Sequence, residues 1–90
     1  MYKLLFSKQS QKDSRKIKEA HLESKCDFLL NTIKRDPFSA KPPYEKLVGD
    51  LHGFYSRRIN LHHRLVYEVD KRNKLVKILQ MWTHYEYCPH

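Results

Sequence analysis

Apolar and polar positions alternate along the chain with two different periods, and the change of period divides it into elements. Tyr2 to Phe6 is short and apolar-rich, closes on polar Ser7, and predicts a strand. Ser10 to about Ala20 is helical in composition with a thin apolar stripe, Ile17 and Ala20. That pattern predicts a mostly solvated helix with Asp13 in its first turn, where the helix dipole favours an acid. Leu22, Cys26, Leu29, Leu30 and Ile33 then recur at i, i+4, i+7, i+8 and i+11, the spacing of one buried helix face. Asp36, preceding Pro37, is pushed out of helical dihedrals and ends the helix.

Ser39 to Gly53 contains the adjacent Pro42 and Pro43 and both glycines of the chain, which predicts a surface loop with one helical turn at Leu47 to Leu51. Loops of this length in small domains often carry function. Beyond it the period falls to two. Phe54 to Ile59, His63 to Val69 and Leu75 to Thr83, separated by turns at Asn60 to His62 and Asp70 to Lys74, predict an antiparallel meander. The expected fold class is α+β: an N-terminal strand, two helices, then a three-stranded antiparallel meander, with the helices packed on one sheet face.

Ninety residues are expected to form a single domain, 1–90, with 86–90 as a short C-terminal tail. Charge changes the picture more than size does. Eighteen Lys plus Arg against ten Asp plus Glu leave a net charge of +8, which favours an anionic partner. Leu4, Leu5 and Phe6 are too short an apolar run for a signal peptide or a membrane span, so the expected location is cytoplasmic, with no membrane partner. Cys26 and Cys88 are the only thiols, far apart in sequence, and suggest neither a disulfide framework nor a metal pair. His84, Cys88 and His90 lack a zinc spacing, and adjacent His62 and His63 point in different directions; no metal or cofactor is expected.

The segment "GFYSRRINLHHRLVYEV" concentrates arginines in what reads as sheet. Alternation places Phe54, Ser56 and Arg58 on one face and Tyr55, Arg57 and Ile59 on the other. If Leu65, Tyr67 and Val69 pack on the helices, Arg64 projects from the uncovered face, with Arg57 or Arg58 beside it. No acidic residue lies between Gly53 and Val66. These charges line an open surface for an anion, or they are solvated charges that deter edge-to-edge strand pairing. A histidine near a strand end, His84, has the right unperturbed pKa to protonate a leaving group, and Glu45 is a lone loop carboxylate beside Lys46.

"DPF" at 36–38, "YEKLVGDLHGFYSRRI" at 44–59, "HHRLVYEV" at 62–69 and "HY" at 84–85 resemble the Txe/YoeB family, messenger-RNA-cleaving toxins of type II toxin–antitoxin modules in the RelE superfamily. The resemblance implies a ribosome-dependent endoribonuclease in which Glu45 is the general base, Arg64 stabilises the transition state, His84 is the general acid and Tyr85 positions substrate. Arg58 is an auxiliary phosphate contact, and Arg57, Lys46 and His63 are counted with it as contacts to RNA. Such chemistry needs no metal, because RNA carries its own nucleophile, the 2′-OH; a base, an acid and a cation for the phosphorane suffice. The products implied are a 2′,3′-cyclic phosphate and a 5′-hydroxyl.

Implied partners are a cognate antitoxin protein, ribosomal RNA and messenger RNA, with operator DNA reached only through the antitoxin, and a homodimer is allowed. The chain departs from the family at His52, at Val48 where some members carry a phosphate-holding lysine, and in the tail after Tyr85. Two other readings stand beside it: a toxin of this fold that inhibits DNA gyrase by protein contact, and a basic RNA-binding module without catalysis.

Overall fold

The computed structural model describes residues 1–47 and 53–83. The element order is β1 (Lys3–Phe6), α1 (Lys8–Glu19), α2 (Glu23–Arg35), β2 (Glu45–Lys46), β3 (Phe54–Arg58), β4 (Arg64–Asp70) and β5 (Leu75–Thr83). They build one sheet in the order β1-β5-β4-β3-β2. The meander β3-β4-β5 is antiparallel, as its period predicts. β1 joins parallel to β5, Lys3 opposite Leu75, the pairing that two intervening helices make available.

Both helices cover one face. Ile17 of α1 and Cys26, Leu29 and Ile33 of α2 pack with Leu65, Tyr67, Val76, Ile78 and Met81 of β4 and β5 into the buried core. The periodic α2 stripe therefore faces where its spacing says it must. Burial, with a smaller push from the charge of Asp27, raises the Cys26 thiol to about 11, so this cysteine serves as a small apolar group. α2 ends at Asp36, in extended backbone before Pro37. No helix among the described residues is long and apolar enough to cross a membrane.

α1 starts earlier than its composition predicts. Ser7 is the N-cap and accepts from the Ser10 N–H at 3.0 Å, so the helix opens at Lys8 and Asp13 lies in its interior rather than in its first turn. Asp13 is 2% exposed, and its carboxylate accepts from the backbone N–H of Met81 at 3.0 Å and from Gln9 Nε2 at 2.9 Å. The physical reason lies in β5, which runs on past the end of β1. The Ser7 N–H donates to the Ile78 carbonyl at 3.0 Å, the Ser7 hydroxyl donates to the Leu79 carbonyl at 2.7 Å, and Asp13 takes the next free donor, Met81. The N-cap Ser7 and Asp13 of α1 thus replace the neighbouring strand that β5 loses.

The long loop also holds a strand that no pattern announces. Glu45 pairs with Ser56 and Lys46 with Tyr55, and the Leu47 N–H donates to the Phe54 carbonyl at 2.9 Å. Leu47 is not helical; the rest of the helical turn expected at Leu47 to Leu51 lies outside the described residues. Gly53, at φ +95°, enters β3 in a conformation that side chains with a Cβ rarely adopt.

Candidate active site

Three adjacent strands carry the site, and their register determines which side chains meet. Ser56 of β3 stands opposite Glu45 of β2 and opposite Val66 of β4, while Arg58 stands opposite Arg64. Paired residues share a face, so Glu45, Ser56, Arg58 and Arg64 all project from the side away from the helices. They line a cleft of about 740 Å³, walled by Pro42, Pro43 and the β3–β4 turn. Asn60 shapes that turn, its side-chain oxygen accepting from the N–H groups of His62 and His63, both at 2.8 Å.

Arg64 is the first residue of β4, the middle strand of the sheet. Its Nη1 donates to Glu45 Oε1 at 2.9 Å and to the Ser56 hydroxyl at 3.2 Å. The arginine side chain is 8% exposed and the glutamate 51%, so the carboxylate faces the cleft and the guanidinium backs it. Arg58, exposed, lies directly across the strand pair from Arg64. Like charges in register repel. Among the described residues the cleft thus brings one half-exposed carboxylate, Glu45, together with the guanidinium groups of Arg58 and Arg64, a set that can receive an anion beside a proton acceptor.

The expected contacts do not all gather here. Arg57 is wholly buried on the helix-facing side, where its Nε donates to the Tyr67 hydroxyl and its Nη atoms donate to the carbonyls of Pro37, Ser39 and Pro42. The expectation that it touches phosphate is therefore corrected: four of its donors are used inside the protein. Lys46 is exposed but alternates away from Glu45, pairing with Tyr55 of the opposite face, and stands outside the cleft. His63 is half-buried with its ring stacked on Trp82, centroids 3.7 Å apart at 17°. His84 and Tyr85 lie outside the described residues. Ser56, which charge-led reading passes over, is signalled by alternation, since it shares the face of Arg58. Lys25 of α2 also reaches the cleft rim, with no sequence signal for its approach. Among the described residues no three His, Cys, Asp or Glu side chains are placed to hold a metal ion.

The cleft residues fall inside a stretch, residues 6–85, that matches the family model of the YoeB-like toxins of bacterial type II toxin–antitoxin systems. The chain belongs to that family. Toxin YoeB of Synechocystis is 40% identical over 65 residues, covering 72% of this chain and 73% of the relative. Toxin YoeB of Escherichia coli is 37% identical over 76 residues, covering 82% of this chain and 90% of its own. Among solved structures, a YoeB/ParE toxin from Agrobacterium tumefaciens superposes with a TM-score of 0.83 at 33% identity, covering 92% of this chain and 99% of that one. The toxin in a heterotetrameric YoeB–YefM toxin–antitoxin complex from Staphylococcus aureus superposes at 0.77 with 35% identity, covering 94% and 99%. This YoeB-like toxin thus has the RelE-type α+β fold.

Proposed function

We propose that this YoeB-like toxin is an endoribonuclease that cuts messenger RNA on the ribosome and so arrests translation. The observation that carries the reading is the cleft itself, in which the Glu45 carboxylate lies 2.9 Å from Arg64 with Arg58 across the strand pair. Glu45 takes the proton from the ribose 2′-OH, and the 2′-oxygen attacks the adjacent phosphorus. Negative charge grows on the phosphorane oxygens, and Arg64, with Arg58 beside it, faces that charge from a fixed position. An incoming phosphate competes with Glu45 for Arg64, so substrate binding frees the carboxylate for its proton as it engages the guanidinium. The resemblance assigns His84 as donor to the departing 5′-oxygen and Tyr85 to positioning. The step ends in a 2′,3′-cyclic phosphate and a 5′-hydroxyl, and a metal has no part to play in it.

The +8 charge suits a ribosomal RNA partner, and the cytoplasm is where that partner is found. The YoeB–YefM complex supports a cognate antitoxin for this chain, an acidic or amphipathic segment that folds over the toxin. Operator DNA is then contacted by the antitoxin. A passive RNA-binding module is the weaker reading, because a half-exposed carboxylate in the cleft opposes phosphate binding but suits a base.

The test is in vitro translation with purified ribosomes and a defined messenger. Wild-type protein should stop synthesis and cut the messenger, and Glu45→Gln should cut it about 10²–10⁴-fold more slowly. Continued synthesis with soluble wild-type protein in excess over ribosomes overturns the reading.

A further inference from the structure

Among the described residues Arg57 is the largest fully buried side chain, and no carboxylate pairs with it. Burying a cation against neutral partners is costly, and an apolar residue could fill the same space against the core. The cost therefore needs a return that packing does not supply. Its hydrogen bonds say where to look. Nη2 donates to the carbonyls of Pro37 at 3.0 Å and Ser39 at 2.9 Å, Nη1 donates to the Pro42 carbonyl, and Nε donates to the Tyr67 hydroxyl at 3.0 Å. Tyr67 in turn donates to the Pro37 carbonyl at 2.8 Å. The Tyr44 ring closes over the guanidinium at 5.2 Å.

Three of these acceptors belong to one segment, the connection from the end of α2 to Glu45. That segment contains no helix or strand of its own, and β2 beyond it is two residues long. A two-residue strand at a sheet edge does not fix a side chain well by itself. A planar fork with five donors can gather several carbonyls at set angles, whereas an ammonium on a flexible stem cannot.

Resting on the reading of Glu45 as the base, the geometry points to Arg57 as the positioning residue of this enzyme. From the opposite face of β3 it ties down the loop whose end presents Glu45 to Arg64. It touches no substrate. It acts by holding the carboxylate where the 2′-OH will arrive.

The test is Arg57→Lys, read two ways. Hydrogen exchange followed by mass spectrometry should show faster exchange in peptides covering residues 37–46 with protection in β4 and β5 retained. Single-turnover cleavage on programmed ribosomes should fall about 10²-fold in rate, the scale for a base displaced by about an ångström, with the half-saturating toxin concentration unchanged. In a Glu45→Gln background the same change should cost little more, because both act through one carboxylate. Unaltered loop exchange, a weakened half-saturation at full rate, or losses that multiply with Glu45→Gln would each overturn the assignment. Should Arg57→Lys fail to fold, Tyr67→Phe removes one node of the tether, keeps the ring, and should give the same pattern at reduced size. If wild-type protein leaves RNA intact, the catalytic reading falls separately, and loop exchange alone decides whether Arg57 holds the segment.

Discussion

Arg64 Nη1 and Glu45 Oε1 stand 2.9 Å apart even though β3 runs between the strands that carry them. The bridge passes over Ser56, whose small side chain lets the two charged groups meet and whose hydroxyl accepts a second bond from the same Nη1. Glu45 is half exposed, so water screens the pair and its contribution to stability is about 1 kcal/mol or less. In the proposed mechanism its worth lies in chemistry. Glu45→Gln should melt within a few degrees of wild type and lose about 10²–10⁴-fold in cleavage rate, the span for a deleted general base. Thermal unfolding and single-turnover cleavage, measured on one preparation, check both halves.

Arg58 faces the cleft but makes no tight contact with Glu45, so it is expected to act on phosphate in binding rather than on the proton. Arg58→Gln should weaken attachment to ribosomes and reduce the salt dependence of that attachment by about one phosphate contact. Binding measured across a salt series gives the slope. A slope identical to wild type would remove Arg58 from the phosphate path.

Asp13 ties α1 to β5, and its loss should be felt in stability alone. Asp13→Ala leaves the Met81 N–H buried without its acceptor, which should cost about 1–3 kcal/mol. Urea unfolding checks the figure, and cleavage by the remaining folded protein should match wild type.

Tyr67 supplies a pH signature. Burial pushes its phenol up to about 12, against the opposing pull of the Arg57 charge and hydrogen bond. The folded protein therefore holds this proton more tightly than the unfolded chain does. Its contribution to stability is complete below the ordinary value of 10.0 and is lost as pH rises through about 12. Stability followed between those limits should fall in wild type, and Tyr67→Phe should flatten that part of the decline.

Local pattern is enough to place most elements, because α2 buries Cys26, Leu29 and Ile33 at i, i+3 and i+7 and the meander strands alternate. It was also enough to put Ser56 and Arg58 on one face and Arg57 on the other. The resemblance then brought Glu45 to Arg64, a contact that spacing alone does not reveal. What escaped is non-local. Nothing in Lys3–Phe6 says that it lies parallel to Leu75–Thr83, since that pairing depends on how two helices return the chain. β2 is too short to show a period. The burial of Arg57 is hard to read from sequence because three of its four acceptors are backbone carbonyls of the 37–42 segment, which leave no mark in side-chain composition, so its charge points to the surface while its alternation points inward. The early start of α1 follows from a cap on Ser7 that a thin apolar stripe obscures.

The most direct measurement uses two messengers that differ by one oxygen. One is all-ribose, and the other carries a 2′-deoxynucleotide on the 5′ side of the bond cut in the first, each programmed on the same ribosomes. If Glu45 and Arg64 act on the 2′-OH as proposed, the all-ribose messenger breaks to a 2′,3′-cyclic phosphate and a 5′-hydroxyl while the deoxy messenger stays whole at that bond. Equal cleavage of both would contradict it.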